Sequence, residues 1–207
     1  MPRSKNLKSD GVKQKDIERT LRQAVAFLEK NDLRYAVIGG IAIQFLGKPR
    51  FTYDVDFKVL VPNIDYAAAR AIIRAKFPDR ARPHIPADPL VVDVQIEKIP
   101  VDFLLALPGY EENIITRATR RKFGGLMVWI CSAEDLLIQK VVANRAKDWL
   151  DVEGILSEQY GRLDEDYIEE WLPQFADLLE RPEMLTQYRE IQDRIKAIVR
   201  RHRKARR

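Results

Sequence analysis

The most informative stretch of this sequence is residues 37–59, which read VIGGIAIQFLGKPRFTYDVDFKV. A short apolar run ends at Gly39-Gly40 and an apolar segment follows. Thirteen residues separate the glycines from Asp54-Val55-Asp56, which lies within a second apolar run. Side chains alternate along a strand, so the two aspartates are expected on one face while the apolar residues fill the other. The pattern predicts a strand, a tight turn, a helix and a strand that carries two carboxylates.

These carboxylates have the spacing of a cation site. Two residues apart on a strand, they lie roughly 6–7 Å from each other at their Cα atoms, because a strand rises ~3.3 Å per residue. Both can reach one divalent cation, and without it they would repel each other and lose hydration.

A third acid is expected from a neighbouring strand. Asp102 interrupts a second apolar run, residues 100–106, and strand pairing would bring it within ~5 Å of the first pair laterally. Asp93 is the rival for this position, but its strand has the ordinary half-exposed alternation, so Asp102 is favoured. Three carboxylates of this kind can hold two Mg²⁺ ions about 3.5–4 Å apart.

The glycine pair suits a phosphate group. Gly39 and Gly40 lack Cβ atoms and open a helix, so backbone amides there can approach an anion. The alternative interpretation is a simple tight turn. Two familiar phosphate loops are excluded, since Gly47-Lys48 is followed by Pro49 and no third glycine completes a dinucleotide-binding fingerprint.

The rest of the chain alternates helices and strands to about residue 150 and is helical afterwards. Helices are predicted at 14–30, 41–46 and 65–77, and strands at 35–38, 53–61, 91–97, 100–106 and 126–131, with 91–97 and 100–106 forming a hairpin. The fold class is therefore α+β: a mixed β-sheet flanked by helices, with a C-terminal helical segment. The predicted divisions are a disordered basic arm (1–13), a core (14–152), a helical segment (153–199) and a basic tail (200–207).

One predicted helix carries a polar stripe. Ser132 and Asp135 match a capping motif, S-x-x-D, and start a helix expected to run to about residue 151. At 100° per residue, one side of it collects Lys140, Asn144, Lys147, Asp148 and Asp151. If this side faces a cleft, Lys140 would neutralise phosphate, and Asp148 would orient Lys140 or Arg145. The alternatives are a solvated Lys140 and a local Arg145–Asp148 pair that contributes only ~0.2–0.5 kcal/mol.

Composition narrows the class of protein. The 46% hydrophobic fraction of these 207 residues supports a real core. No run of ~18 apolar residues predicts a membrane span, and the polar N-terminus does not resemble a secretory signal. Cys131 is the only cysteine, which excludes an internal disulfide and a CxxC zinc site. These features predict a cytoplasmic protein with no membrane association.

The net charge of +5 comes from the two ends of the chain. Residues 200–207 carry six basic groups and no acid, and residues 1–16 carry five basic and two acidic groups. The middle, 17–199, has 25 basic and 29 acidic residues. The tail can attract RNA or DNA through phosphate charge, or it is a solvated helix end.

Two motifs carry a family resemblance, which spans roughly residues 33–156. Arg50, Thr52, Asp54 and Asp56 form R-x-T-x-D-x-D after the glycine pair, and residues 133–151 read AEDLLIQKVVANRAKDWLD. With these motifs the chain resembles the nucleotidyltransferase superfamily of DNA polymerase β-like folds, most closely the AbiEii-like branch of toxin–antitoxin and abortive-infection proteins. Many catalytic relatives have Gly-Ser at the glycine pair, whereas a second glycine is common in this branch and in tRNA-end-adding enzymes.

The resemblance implies Mg²⁺-dependent transfer of a nucleoside monophosphate from an NTP such as ATP to an acceptor hydroxyl, with two Mg²⁺ ions, or Mn²⁺ as the alternative. It implies a nucleotidyltransferase core over residues 14–152, an RNA or tRNA end or a protein as acceptor, and a cognate toxin or antitoxin as partner. The implied catalytic and metal-binding residues are Asp54, Asp56 and Asp102. The implied nucleotide-binding residues are Gly39, Gly40, Arg50, Thr52 and Lys140, with Arg145 and Asp148 in support.

Two other functions fit the same motifs. The first is a non-catalytic module of this fold that binds nucleotide, nucleic acid or a partner protein. The second is metal-dependent phosphoester hydrolysis.

Overall fold

The computed structural model describes residues 13–80 and 88–205, with side chains up to residue 201. All but the last residue of the expected basic arm, part of the proline-rich stretch before β3, and the last two residues lie outside the described residues. The described strands are β1 (Tyr35–Ile38), β2 (Val55–Val59), β3 (Val91–Ile96), β4 (Ile99–Leu105), β5 (Thr119–Phe123) and β6 (Leu126–Ile130). The described helices are α1 (Gln14–Lys30), α2 (Gly39–Leu46), α3 (Tyr66–Lys76), α4 (Tyr110–Thr116), α5 (Ala133–Ala143), α6 (Ala146–Glu158), α7 (Glu165–Leu178) and α8 (Glu183–Ala205).

The six described strands form one mixed sheet in the order β3-β4-β2-β1-β6-β5. β2 pairs with β4, and β1 with β6, in parallel, while the other neighbours are antiparallel. The predicted hairpin is confirmed as the antiparallel pair of β3 and β4. The predicted α+β class is therefore confirmed, and the sheet places the two acid-bearing strands side by side.

Alternation along β2 and β4 separates a core face from a polar face. Val55, Phe57 and Phe103 are fully buried, and the Phe57 and Phe103 rings stack with centroids 5.3 Å apart. α1 packs on the sheet through the residues that its periodicity predicts: Ile17, Leu21, Ala24, Val25 and Leu28. Burial of each such side chain stabilises the fold by about 1.5–3 kcal/mol. The aspartates are left on the opposite face, where the cleft forms.

The helix predicted to run to residue 151 is two helices. α5 begins where the capping motif places it, with the Ser132 hydroxyl accepting a hydrogen bond from the Asp135 amide at 3.0 Å. It ends at Asn144, whose φ of 53° is left-handed, a conformation that asparagine tolerates better than most residues. The Asn144 side chain accepts a hydrogen bond from the Trp149 indole at 2.8 Å, which fixes the corner between α5 and α6.

Two described elements were not predicted from the sequence. β5 is an edge strand whose residues are exposed except Phe123, so it lacks the alternation that marks a strand. α4 has only seven residues and follows a proline-glycine turn. Both lie in the segment 107–125, for which the sequence pattern gave no assignment.

The C-terminal helices complete the fold. α6 runs continuously across residue 152, so the predicted boundary between core and helical segment falls inside a helix. α8 extends through Ala205, so most of the expected basic tail has helical backbone. Met184 and Tyr188 of α8 are at most 1% exposed. Within the part of the chain that the structure describes, no helix is long and apolar enough to cross a membrane.

Candidate functional site

Three acids converge because of strand register. Asp56 of β2 is directly opposite Asp102 of β4, and Asp54 immediately precedes β2. Asp93 is opposite Asp102 on the far side, so it lies one strand further from Asp56. We call Asp54, Asp56 and Asp102 the acid triad. The lateral adjacency expected for Asp102 is thus present.

Burial and the neighbouring acids disfavour the charged form of Asp56. Burial is the largest cause that raises its pKa, to about 7, and the charges of Asp54 and Asp102 raise it further. The charge of Lys140 and a hydrogen bond from the Gly40 backbone amide act in the opposite direction. A carboxyl that is half ionised at neutral pH beside two other acids would be stabilised by a bound cation.

The glycine pair is required by the close approach of the chain's own side chains. Gly39 has φ +62°, and a Cβ there would overlap the carboxylate oxygen of Asp56 and lie 2.9 Å from its Cγ. A Cβ at Gly40 would overlap the Thr52 hydroxyl and lie 2.7 Å from the Thr52 Cβ. The pair therefore lets the loop before β2 and the Asp56 carboxylate close against the start of α2.

Thr52 and Arg50 fix the loop that leads into Asp54. The Thr52 hydroxyl donates to Asp54 Oδ1 at 2.5 Å, and Thr52 is 4% exposed. Arg50 donates from Nε and Nη2 to the two carboxylate oxygens of Asp151 at 2.8 and 2.9 Å. This bidentate pair ties the loop to α6, which holds Asp54 at the edge of the cleft.

Lys140 is held by two acids. Its ammonium lies 3.0 Å from Asp148 Oδ1 and 2.8 Å from Asp151 Oδ2, and its side chain is 8% exposed. Arg145 also donates to Asp148. We call Arg50, Lys140, Arg145, Asp148 and Asp151 the cation–acid network. In this arrangement Asp148 contacts both Lys140 and Arg145, and the Lys140 ammonium is bound by two carboxylates.

The acids of the network are stabilised as carboxylates. Burial acts to raise the pKa of Asp148 and Asp151, but hydrogen bonds from Arg145 and Lys140 to the first, and from Arg50 and Lys140 to the second, outweigh it. The pKa of each is lowered from 3.8. The network thus stays charged at neutral pH and packs the α5–α6 corner against the loop before β2.

Arg80 is a member of the site that sequence reasoning missed. Its guanidinium donates to Asp102, and to Asp93 Oδ1 at 3.3 Å. Arg80 follows α3 at the edge of the proline-rich stretch, where no pattern points toward the sheet. It neutralises the third acid of the triad and occupies space beside it.

All the predicted site residues except Asp148 line one cleft of about 940 Å³. The cleft also contains Lys147, which the polar stripe predicted, and residues that were not predicted: Phe51, Tyr53, Lys58 and Glu111. Phe51 and Tyr53 are 45% and 64% exposed, with ring centroids 4.9 Å apart. Lys58 follows Asp54 and Asp56 at the next alternate position, a spacing from which it could have been found.

The donor set has the chemistry of a site for Mg²⁺, which prefers carboxylate oxygens. Asp54 and Asp56, two residues apart at the start of β2, are the acids best placed to hold such an ion. Among residues 13–80 and 88–201, no group of three or more His, Cys, Asp or Glu side chains is arranged to hold a metal ion. Asp102 accepts a hydrogen bond from Arg80 through Oδ1, so this oxygen is already engaged.

Several solved structures are similar to this chain at low sequence identity. Three solved structures cover most of it: the antibiotic-resistance factor ANT(2'')-Ia, an antigenic nucleotidyltransferase-like protein from Paracoccidioides brasiliensis and a putative nucleotidyltransferase from Thermotoga maritima. Their identities are 14%, 18% and 15%, and their TM-scores are 0.47, 0.49 and 0.48. They cover 92%, 85% and 80% of this chain and 99%, 92% and 98% of their own. No curated protein sequence matches this chain.

The family model matches residues 17–190, which include the acid triad, the glycine pair and the cation–acid network. The chain therefore belongs to the family described as nucleotidyl transferase of unknown function (DUF2204).

Proposed function

We propose that this protein transfers a nucleoside monophosphate from an NTP to an acceptor hydroxyl. The observation that carries the proposal is the register of Asp56 with Asp102 on neighbouring strands, with Asp54 two residues away, on the wall of a cleft that opens beside Gly39-Gly40. Membership of a nucleotidyl transferase family supports it.

In the proposed reaction the acceptor oxygen forms a bond to the α-phosphorus of the NTP. The bond from that phosphorus to the oxygen that bridges it to the β-phosphate breaks, and pyrophosphate leaves. The hydroxyl proton passes to a carboxylate of the acid triad, where Asp102 helps to activate the acceptor. Mg²⁺ held by Asp54 and Asp56, with Mn²⁺ as the alternative, would supply charge stabilisation to the attacking and leaving oxygens.

In this proposal the backbone amides and the basic side chains of the cleft have different roles. Gly39 and Gly40 place the start of α2 on the cleft, where phosphate would meet the backbone beside the Asp56 and Thr52 side chains that pack on the pair. Arg145, whose side chain is 60% exposed, and the exposed Lys147 are the basic residues best able to meet phosphate directly. Lys140 and Arg50 bind Asp148 and Asp151, so they shape the site and contribute charge from behind it.

The family resemblance extends the proposal to its biological setting. The R-x-T-x-D-x-D stretch that links this chain to the AbiEii-like branch supports an RNA or tRNA end, or a protein, as acceptor, and a place in a toxin–antitoxin pair in the cytoplasm. The hydrogen bond from Thr52 to Asp54 joins two residues of this motif, which explains why the motif contains both.

A non-catalytic module of the same fold is the second candidate. The observation that favours it is the guanidinium of Arg80 on Asp102, which places a positive charge beside the third acid. In such a module the cleft would bind nucleotide without transferring it.

Incubation with an equal mixture of α-labelled NTPs, Mg²⁺ and total cell extract distinguishes the two. We expect pyrophosphate release and a labelled acceptor for the wild type, both lost in Asp54→Asn and Asp56→Asn. Asp193→Asn, which changes an exposed acid of α8, is the matched control and should retain activity. Mg²⁺-dependent nucleotide binding without pyrophosphate release would instead establish the non-catalytic module.

A further inference from the structure

The cleft continues beyond the acid triad to an end of different chemistry. Past Asp56 and Asp102, its walls come from the last residues of β4, the loop after it, α4 and α7. We call this the apolar end, and its side chains are Leu104, Leu107, Tyr110, Ile114, Phe175 and Leu178. Because the cleft is continuous, a molecule seated here reaches the triad without leaving it.

Among the described residues, the cations at and beside the apolar end are paired with carboxylates. Lys58 Nζ lies 2.5 Å from Glu111 Oε1, and the Lys58 side chain is 6% exposed. The second oxygen of Glu111 accepts a hydrogen bond from the Leu107 amide at 2.8 Å. Arg80 is engaged by Asp102 and Asp93. Phosphates of a nucleic acid would therefore compete with carboxylates for these cations, and a polycationic acceptor would compete with Lys58 for Glu111.

Apolar surface remains open at this end. Leu107 is 44% exposed and Leu178 is 77% exposed, and both line the cleft. A ligand with an apolar body would remove both side chains from water, which is the dominant favourable contribution to binding at such a surface. Sites for small molecules typically combine apolar walls with a few polar groups that fix orientation.

The opposite end suits the triphosphate. Gly39-Gly40, Arg145 and Lys147 lie there, and both basic side chains are exposed, although Arg145 also donates to Asp148. With the triphosphate on that side of the triad, the apolar end is left for the acceptor.

We propose that the acceptor is a small molecule with an apolar body and a reactive hydroxyl, and that it binds at the apolar end with the hydroxyl directed to the acid triad. This inference rests on the proposed nucleotidyl transfer. It differs from the acceptors that the family resemblance implies, because the paired charges and exposed leucines at this end favour an apolar molecule over a nucleic acid chain.

The test uses the full-length protein, Mg²⁺ and an equal mixture of α-labelled NTPs. One cell extract is divided into its RNA, its protein and the small molecules that pass a size filter, and each fraction is offered as acceptor. We expect label in the small-molecule fraction, in products that an organic solvent extracts. Leu178→Gln and Leu107→Gln should each lower this labelling at least 5-fold while Mg²⁺-dependent ATP binding is unchanged.

Leu150→Gln is the matched control, since Leu150 is 72% exposed on α6 and does not line the cleft. Label confined to RNA or protein, no label in the small-molecule fraction while ATP still binds, or an equal loss in Leu178→Gln and Leu150→Gln would overturn the inference. The first of these results would leave nucleotidyl transfer standing. Absence of Mg²⁺-dependent ATP binding in the wild type would instead overturn the proposed function itself.

Discussion

At the scale of single residues, Asp56 holds a proton more tightly in the folded protein than in the unfolded chain. Its pKa rises from 3.8 to about 7 on folding, chiefly through burial. The Asp56 carboxyl therefore contributes most to the stability of the fold below pH 3.8, and this contribution is lost as the pH rises to about 7. In EDTA, we therefore expect the free energy of unfolding of Asp56→Asn to rise relative to that of the wild type as the pH increases. Between pH 5 and pH 8.5 this relative change should be on the order of 2 kcal/mol.

Urea unfolding at the two pH values measures this difference. Asp193→Asn, the exposed control, should follow the wild type at both. If the stability difference between wild type and Asp56→Asn is the same at pH 5 and pH 8.5, the Asp56 carboxyl is not under the electrostatic strain described here.

Gly40 and Thr52 make a second prediction, because they share one small space. A Cβ at residue 40 would overlap the Thr52 hydroxyl, so Gly40→Ala should destabilise the fold by about 1–3 kcal/mol. Thr52→Gly removes the atoms that would be struck. In a double-mutant cycle of unfolding free energies, the double variant should be more stable than the sum of the single changes by at least about 0.5 kcal/mol. Additive effects would show that the two residues do not compete for this space.

The acidic residues of the candidate site could be predicted from the sequence, but the side chains that contact them could not. Asp54, Asp56 and Asp102 interrupt apolar strands, where a carboxylate is conspicuous. Arg80 acts on Asp102 from a segment with no periodicity, and only the register of β3 with β4 brings its two acid partners together. The roles of Gly39 and Gly40 as contact points for side chains likewise depend on distances that spacing alone does not give.

At the scale of secondary structure elements, the corner between α5 and α6 is joined to the loop before β2 by the cation–acid network. Asp151 accepts from both Arg50 and Lys140, so Asp151→Asn leaves a buried ammonium with one acid fewer. We expect it to destabilise the fold by about 3–5 kcal/mol in thermal or urea unfolding at pH 7. Glu153→Gln, which breaks the exposed pair with Arg194, should cost less than about 1 kcal/mol.

The cation–acid network also makes the stability of the fold depend on pH in the acidic range. The pKa of Asp148 and of Asp151 is lowered from 3.8 in the folded protein. The two carboxylates therefore stabilise the fold above pH 3.8, and this stabilisation is lost as the pH falls through their lowered pKa. The stability difference between wild type and Asp151→Asn should therefore shrink below pH 3.8. A difference that stays constant down to pH 2 would show that packing, not charge, accounts for the effect.

Long and periodic elements were predictable, whereas short or exposed ones were not. α1 and β1 have the predicted bounds because their apolar residues recur at the period of a helix or fill a buried strand. The break at Asn144 was missed, because the polar stripe fits a straight helix and the left-handed residue that interrupts it has no periodic signal. The network still forms because α6 folds back, which brings Asp148 and Asp151 to Lys140 across the corner.

At the scale of the whole molecule, the sheet and the C-terminal helices share one core. Met184, Tyr188, Ile191 and Ile195 of α8 are buried in the same cluster as the strands. Tyr188 is 1% exposed, so Tyr188→Ala should cost about 3–5 kcal/mol. We expect one unfolding transition at the same urea concentration by tryptophan fluorescence and far-ultraviolet circular dichroism, shifted lower in the variant. Separate transitions would show that α8 unfolds independently of the sheet.

The charge of the whole chain is less informative than its distribution. The net +5 arises at the two ends, while the cleft pairs most of its cations with carboxylates. Such pairing depends on side chains from distant elements, so composition could not have predicted it. It is the reason that a basic isoelectric point does not by itself favour a nucleic acid substrate here.

The proposed function depends on Asp54 and Asp56 holding a divalent cation together with a nucleotide. Titration calorimetry of ATP into wild type and Asp56→Asn, with Mg²⁺ and then with EDTA, tests it most directly. We expect the wild type to bind ATP only with Mg²⁺, and we expect this binding to be weakened at least 10-fold in Asp56→Asn and unchanged in Asp193→Asn. Equal affinity with Mg²⁺ and with EDTA, or equal affinity in wild type and Asp56→Asn, would contradict it.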